Sequence, residues 1–237
     1  MLFAIIVAAG KGSRLGTEIP KQFLLLNNKP VLEYSIDSFI AFDQEIKIIV
    51  ILADEYYNAW SKYLIKYKQV ICALGGSERY ISVQNGVKLL HSYDANADDV
   101  VMIHDAARPF LELGLIFNLY QESKKKGNAS PFTVPKSSVR QLKIDGGNKH
   151  INRNEIVIVQ TPQCFQYQFV QSAYTSNTEI ELTDDAALIE KQGIEINLIP
   201  GNEQLFKITT KLDLQLAEII AKQWKNSKFE ENNCNQL

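Results

Sequence analysis

The stretch "LFAIIVAAGKGSRLG", residues 2–16, decides how the rest of the chain is read. An apolar, β-branched run meets a glycine boundary at Gly10, which makes "FAIIVAA", residues 3–9, a buried strand. Three glycines and two cations follow. Their spacing, Gly10, Gly12 and Gly16, misses the dinucleotide fingerprint G-x-G-x-x-G by one residue, and Leu15 takes the third glycine's place. The stretch does not supply a Walker loop either. Small residues still let backbone N–H groups close on a phosphate, and Arg14 adds a forked donor. Loop composition alone leaves two readings open: a phosphate cradle, or a tight turn whose glycines answer only backbone geometry.

Outward from this loop, short apolar runs alternate with amphipathic stretches. "VLEYSIDSFIAF" has helical spacing, with Val31, Leu32, Ser35, Ile36 and Phe39 on one face. "IKIIVIL", "VICALGG", "DVVMIHDAARPF" and "ASPFTVP" read as strands. "EYYNAWSKYLIKY", "SVQNGVKLL" and "LGLIFNLYQESKKKG" read as helices between them, the last stopped by Gly127. "EIVIVQTPQCF" predicts one strand, and "TDDAALIEKQG" a helix capped by Thr183 and stopped at Gly193. "IEINLIPG" and "LFKIT" predict two more strands, and "KLDLQLAEIIAKQWKN" a final helix. This alternation is the mark of an α/β chain: a mostly parallel sheet with helices on both faces, in a Rossmann-like three-layer arrangement. "VRQLKIDGGNKHINRN" breaks the rhythm. Extended pieces around "DGGN" predict a hairpin too polar for a core of its own, an arm projecting from the domain. The expected organisation is a single domain over 1–227, an arm inserted at about 136–155, and a polar tail at 228–237.

Composition excludes several classes of function. The 237 residues carry a net charge of −2, so no nucleic-acid surface is built from bulk positive charge. Cys72, Cys164 and Cys234 are widely spaced without a CxxC, against a disulfide framework or a zinc knuckle. A reducing, cytoplasmic compartment follows as the expectation. No stretch approaches the ~18 apolar residues of a membrane span.

Ligands of open parallel sheets bind at the carboxyl ends of strands. The residues there form an inventory: Ala8, Ala9, Gly10, Gly12 and Arg14, with Lys21 beyond; Gly75, Gly76 and Arg79; His104, Asp105, Ala106 and Arg108; Thr161; and Lys207. Several cations around one aspartate suit a polyanion with a divalent metal. Asp105 is readable as a loop or cap residue, or as a Mg²⁺ ligand. His104 reads as a packed histidine, Cys164 as a small buried hydrophobe, Lys124–Lys126 as a solvated helix end, and Lys11 as solvent-facing.

Five stretches in order, "AIIVAAGKGSRLGTEIPKQF", "GGSERYISVQNGV", "VMIHDAARPF", "VQTPQCF" and "LTDDAALIEKQG", resemble the 2-C-methyl-D-erythritol 4-phosphate cytidylyltransferase family of the non-mevalonate isoprenoid pathway. The resemblance implies a nucleotidyltransferase fold and transfer of CMP from CTP to the sugar phosphate, with Mg²⁺ and release of pyrophosphate. It implies that Ala8, Ala9, Gly10 and Gly12 hold the triphosphate, with Arg14, Lys21 and Lys207 as catalytic cations. Gly76, Arg79, Ser82 and Ala106 would serve the cytidine side. Asp105 would contact metal or sugar, and Arg108, Ser138, Arg153, Thr161 and Thr183 would complete the substrate pocket. The arm would cross a homodimer so that Arg153 reaches the partner's site. Three positions depart from the family pattern: Ser77 and Ser137 stand where acidic residues are usual, and Asn152 replaces an aspartate. A phosphate dianion needs no general base, having a second pKa near ~6, which accounts for the absence of a catalytic histidine from this set. The rival readings are a ribitol 5-phosphate cytidylyltransferase and a non-catalytic nucleotide-binding module.

Overall fold

A computed structural model of the chain describes residues 1–10, 12, 15–17, 19–144, 146–176 and 184–224. The tail expected at 228–237 lies outside the described residues.

The opening run forms β1 (Leu2–Ala8). A short hairpin follows, β2 (Leu25–Leu26) and β3 (Lys29–Pro30), turned by Asn27 and Asn28, both with positive φ. Then come α1 (Val31–Phe42), β4 (Lys47–Leu52), α2 (Asp54–Leu64), β5 (Val70–Leu74), α3 (Arg79–Leu90), β6 (Val100–Asp105), α4 (Leu113–Lys126) and β7 (Asn128–Thr133). The arm is β8 (Val139–Leu142) and β9 (Asn148–Ile151). After it come β10 (Ile158–Val159), β11 (Gln163–Gln166), α5 (Tyr167–Ser176), α6 (Asp185–Glu190), β12 (Leu198–Pro200) and α7 (Lys211–Gln223).

One eight-stranded sheet runs β5, β4, β1, β6, β11, β7, with β10 and β12 also paired to β7. The pairs β1·β4, β1·β6 and β4·β5 are parallel. β11 is antiparallel to both β6 and β7. The expected mostly parallel sheet is therefore present, with an antiparallel strand set into it.

β1 explains the layering. Ala4 and Ile6 belong to one core with Leu32, Ile36 and Phe39 of α1 and Ile116 and Leu119 of α4. Phe3 and Ile5 point the other way, into a second core with Val83 and Val87 of α3, Val170 of α5 and Leu188 of α6. A strand covered on both faces has to be apolar at both alternations, which is why it reads as an unbroken run. The helix face expected for α1 is the buried one: Val31, Leu32, Ser35, Ile36 and Phe39 all lie inside. A smaller cluster under α7 is completed by Phe110 and Ile208.

Three local expectations are corrected, and one helix is added. "LFKIT" forms no strand; it crosses the carboxyl end of β6, held by one backbone bond from Ile208 N–H to the Ala107 carbonyl at 2.9 Å. "EIVIVQTPQCF" is not one strand but two, because Pro162 lacks the N–H a ladder requires. Residues 167–176, which carried no expectation, form α5. Thr183 lies outside the described residues, and the α6 cap is Asp184, whose carboxylate accepts from Ala187 N–H at 3.0 Å. The polar stretch forms a hairpin: β8 pairs antiparallel with β9 through a turn in which Gly146 has a φ of 86°.

Candidate active site

The carboxyl ends of β1, β4, β5 and β6 surround a cleft of about 690 Å³. Its walls bring together most of the expected residues: Ala9, Gly10, Gly12 and Lys21 from the first loop, Gly76, Arg79 and Ser82 from the second, and Asp105, Ala106 and Lys207. Arg14 and Thr183 lie outside the described residues.

A buried side chain holds the end of β1 where the first loop begins. Gln22 Nε2 donates to the carbonyls of Ala8 at 2.6 Å and Gly10 at 3.0 Å. Phe23 stacks on Trp60 of α2, with ring centroids 4.2 Å apart and planes 15° from parallel. Together these contacts tie the short helical turn Lys21–Phe23 to the glycine loop on one side and to α2 on the other.

The second loop requires glycine on steric grounds. A Cβ on Gly75 would stand 2.6 Å from the Ala9 Cβ, and one on Gly76 2.1 Å from the Ile81 Cγ2. The two loops therefore touch at van der Waals limits. Ser82 Oγ accepts from Gly76 N–H at 3.1 Å and donates to the Glu78 carbonyl at 3.0 Å, which closes the loop over the start of α3.

Asp105 ends β6 and is the electrostatic centre of the cleft. Lys207 Nζ lies 2.9 Å from Oδ2, Arg108 Nε 3.4 Å from Oδ2 and Arg79 Nε 3.4 Å from Oδ1. Burial works to raise this carboxyl's pKa, but Arg79, Lys207 and Arg108 together outweigh it and hold the group well below the usual carboxylate range. Arg79 is bidentate to Asp185, which is 1% exposed, with Nη1–Oδ1 at 2.9 Å and Nη2–Oδ2 at 2.7 Å. Arg108 also donates to the Leu205 carbonyl at 2.9 Å, behind the cleft wall.

Thr161 and His104 sit beneath Asp105. Thr161 Oγ1 accepts from Asp105 N–H at 3.0 Å and lies 3.1 Å from His104 Nδ1. His104 Nε2 is 3.0 Å from the Arg108 carbonyl, which can only accept. The proton is therefore on Nε2, and the Thr161 hydroxyl donates to Nδ1. Burial lowers the His104 pKa to about 4, so the ring is neutral. Thr161 thus tethers the backbone of Asp105, and His104 is the packed histidine that the sequence suggests.

Ser138 and Arg153 stand apart from the cleft. Both are exposed at the base of the arm, where Arg153 Nη1 donates to the Lys136 carbonyl at 2.9 Å. The sequence reading missed Gln22, Gln163, Tyr174 and Asp185. The signal available for Asp185 was the acidic pair in "LTDDAAL"; Gln22 had only its place beside Lys21.

A loop-cradled cleft with fixed cations around one carboxylate can bind a polyphosphate and offset charge developing in phosphoryl transfer. Comparison with known proteins agrees. The 2-C-methyl-D-erythritol 4-phosphate cytidylyltransferase family profile matches residues 2–223. The enzyme of that name from Clostridium acetobutylicum is 38% identical over 234 residues, covering 94% of this chain and 98% of that one. Its counterpart from Bacteroides fragilis is 36% identical over 221 residues, covering 92% and 98%. The crystal structure of the Francisella tularensis enzyme superposes with a TM-score of 0.78 at 29% identity, covering 92% of this chain and 98% of that one. That of the Thermus thermophilus enzyme gives 0.74 at 26% identity, covering 94% and 100%.

Proposed function

Because this chain belongs to the 2-C-methyl-D-erythritol 4-phosphate cytidylyltransferase family, we propose that its cleft transfers CMP from CTP to 2-C-methyl-D-erythritol 4-phosphate. The observation that carries this reading is Asp105, ringed by Arg79, Arg108 and Lys207 in a cleft walled by two touching glycine loops. The phosphate oxygen of the sugar attacks the α-phosphorus of CTP. One P–O bond forms there, and the bond to the bridging oxygen breaks, its electron pair leaving with pyrophosphate. The nucleophile is already mostly dianionic at neutral pH, given a second pKa near ~6, so no side chain has to remove a proton.

The obstacle is repulsion between two polyanions. In this proposal the backbone of Ala8, Ala9, Gly10 and Gly12 cradles the triphosphate. Arg14, Lys21 and Lys207 place positive charge where the α-phosphorus is crowded, and Gly76, Ser82 and Ala106 hold the cytidine. Arg79 fixes the second loop. Arg108 and Thr183 serve the sugar-phosphate side, and Thr161 acts there through Asp105.

Asp105 does not make a standing metal site. Both of its oxygens already meet cations, and no cluster of three or more His, Cys, Asp or Glu suited to a metal occurs among the described residues. The donor set fits a Mg²⁺ ion that arrives on the triphosphate, with Asp105 as its one protein carboxylate, since this ion binds through one or two carboxylates plus phosphate oxygens. Such an ion would spread the phosphate charge.

The arm is proposed to pair with a second copy, bringing Ser138 and Arg153 to the partner's cleft. In support, the arm is solvent-exposed, carries Arg140, Lys143 and Lys149, and leaves Leu142 and Ile144 uncovered. No described helix is long and apolar enough to cross a membrane. A cytoplasmic location is proposed because it would keep the unpaired thiols of Cys72 and Cys164 reduced.

Purified protein with CTP, Mg²⁺ and a panel of polyol phosphates tests the reading. Pyrophosphate release with methylerythritol phosphate is expected. Release with ribitol 5-phosphate alone would reassign the substrate, and release with none would leave a binding module.

A further inference from the structure

Arg79 opens α3, where the positive end of the helix dipole disfavours a cation. It is nevertheless held by a fully formed fork on Asp185, and that carboxylate is itself locked. Asp185 Oδ1 accepts from the Tyr174 hydroxyl, and the backbone N–H groups of Asp185 and Ala186 both donate to Gln163 Oε1, at 3.0 and 2.8 Å. Gln163 is fully buried on β11, and its Nε2 reaches Asp184 Oδ2 at 3.0 Å. Four side chains from three elements thus fix one guanidinium.

The consequence appears at Asp105. With both terminal nitrogens spent on Asp185, Arg79 has only Nε directed at Asp105, at 3.4 Å. Among the described residues, Oδ1 of Asp105 has no other partner, whereas Oδ2 is shared by Lys207 and Arg108. An unrestrained guanidinium would rotate to grip a carboxylate with two parallel bonds, which is its preferred geometry. We propose that Asp185 is a positioning residue for the transfer reaction: it holds back the Arg79 fork and so keeps Asp105 Oδ1 available to the substrates. The proposal rests on the cytidylyl-transfer reading above.

The test is a double-mutant cycle of Asp185→Asn and Arg79→Ala, with thermal melts as the folding control. In the native background, Asp185→Asn is expected to lower kcat about 10- to 100-fold, the usual scale for a misplaced site group, while KM for CTP moves less than about threefold. In the Arg79→Ala background the same substitution is expected to have no further effect on kcat, because no fork remains to restrain. An equal fall in both backgrounds overturns the proposal, since a purely structural role would act with or without Arg79. If Asp185→Asn does not fold, Tyr174→Phe loosens the same carboxylate, and a loss of kcat confined to the Arg79 background is again required. A crystal structure of Asp185→Asn provides a readout independent of turnover. Terminal nitrogens of Arg79 on Asp105 support the proposal, and a fork still seated at position 185 refutes it, whichever polyol phosphate the enzyme takes.

Discussion

Replacing Thr161 by valine separates two roles for this residue. The resemblance places Thr161 against the substrate, whereas the structure spends its hydroxyl on Asp105 N–H and His104 Nδ1, at 3.0 and 3.1 Å. Valine keeps the shape and removes both bonds, leaving one donor and one acceptor unsatisfied in a buried pocket. Each such group costs about 1–3 kcal/mol, so a total loss of about 2–6 kcal/mol is expected. For a chain of this size, 1 kcal/mol shifts Tm by about 2–4 °C, which puts the melting point roughly 4–24 °C lower. Serine at 161 retains the oxygen and is expected to restore most of the loss. The assay is calorimetry on the three proteins alongside steady-state kinetics. The valine variant is expected to lose kcat together with Tm, because Asp105 shifts with its N–H unanchored. A valine variant that melts with the native protein but shows a raised KM for the sugar phosphate would refute the support role and return Thr161 to the substrate.

Three further outcomes are expected. Lys21→Ala and Lys207→Ala each lower kcat by about 10²–10³ with a much smaller change in CTP affinity, because the charges act at the crowded transition state; equal losses in affinity alone would remove that role. The second outcome concerns pH. The unfolded His104 ring takes a proton near pH 6.5, but burial delays protonation in the folded protein to about 4. Acid therefore favours unfolding between these values: stability falls by about 3 kcal/mol from pH 6.5 to 4 and levels off below, and His104→Gln flattens this part of a Tm-against-pH curve. Thirdly, mixing inactive Arg153→Ala and Lys21→Ala subunits restores activity through mixed dimers; demonstrable mixed dimers without activity would rule out a site shared through the arm.

The sequence-to-structure agreement is best where one local pattern suffices. Leu2–Ala8 and Val31–Phe42 are legible because periodicity and burial coincide. The strand-end rule brought Gly76, Arg79, Asp105 and Lys207 to one cleft even though they span more than half the chain. Periodicity for α5 was present in Tyr167, Val170, Ala173 and Tyr174, all buried, but two glutamines and a serine between them masked it. "LFKIT" looked like a strand because it is apolar, but its apolar side chains serve packing and not pairing: Leu205 joins the main core and Ile208 the cluster under α7. Gln163 and Gln22 could not be read, and the acidic pair that marks Asp185 does not name its partner. Arg79 and Asp185 are separated by 106 residues, and no spacing rule tells a buried ion pair from two surface charges.

The stacking of Phe23 on Trp60 gives the enzyme an optical handle. Indole emission responds to its immediate surroundings, and Trp60 touches the turn that carries Lys21. The chain has two tryptophans, and the other, Trp224, packs on Phe110 at the end of α7. With Trp224 replaced by phenylalanine, Trp60 alone would report nucleotide loading by its fluorescence, so that CTP occupancy and turnover can be followed in the same cuvette without a label.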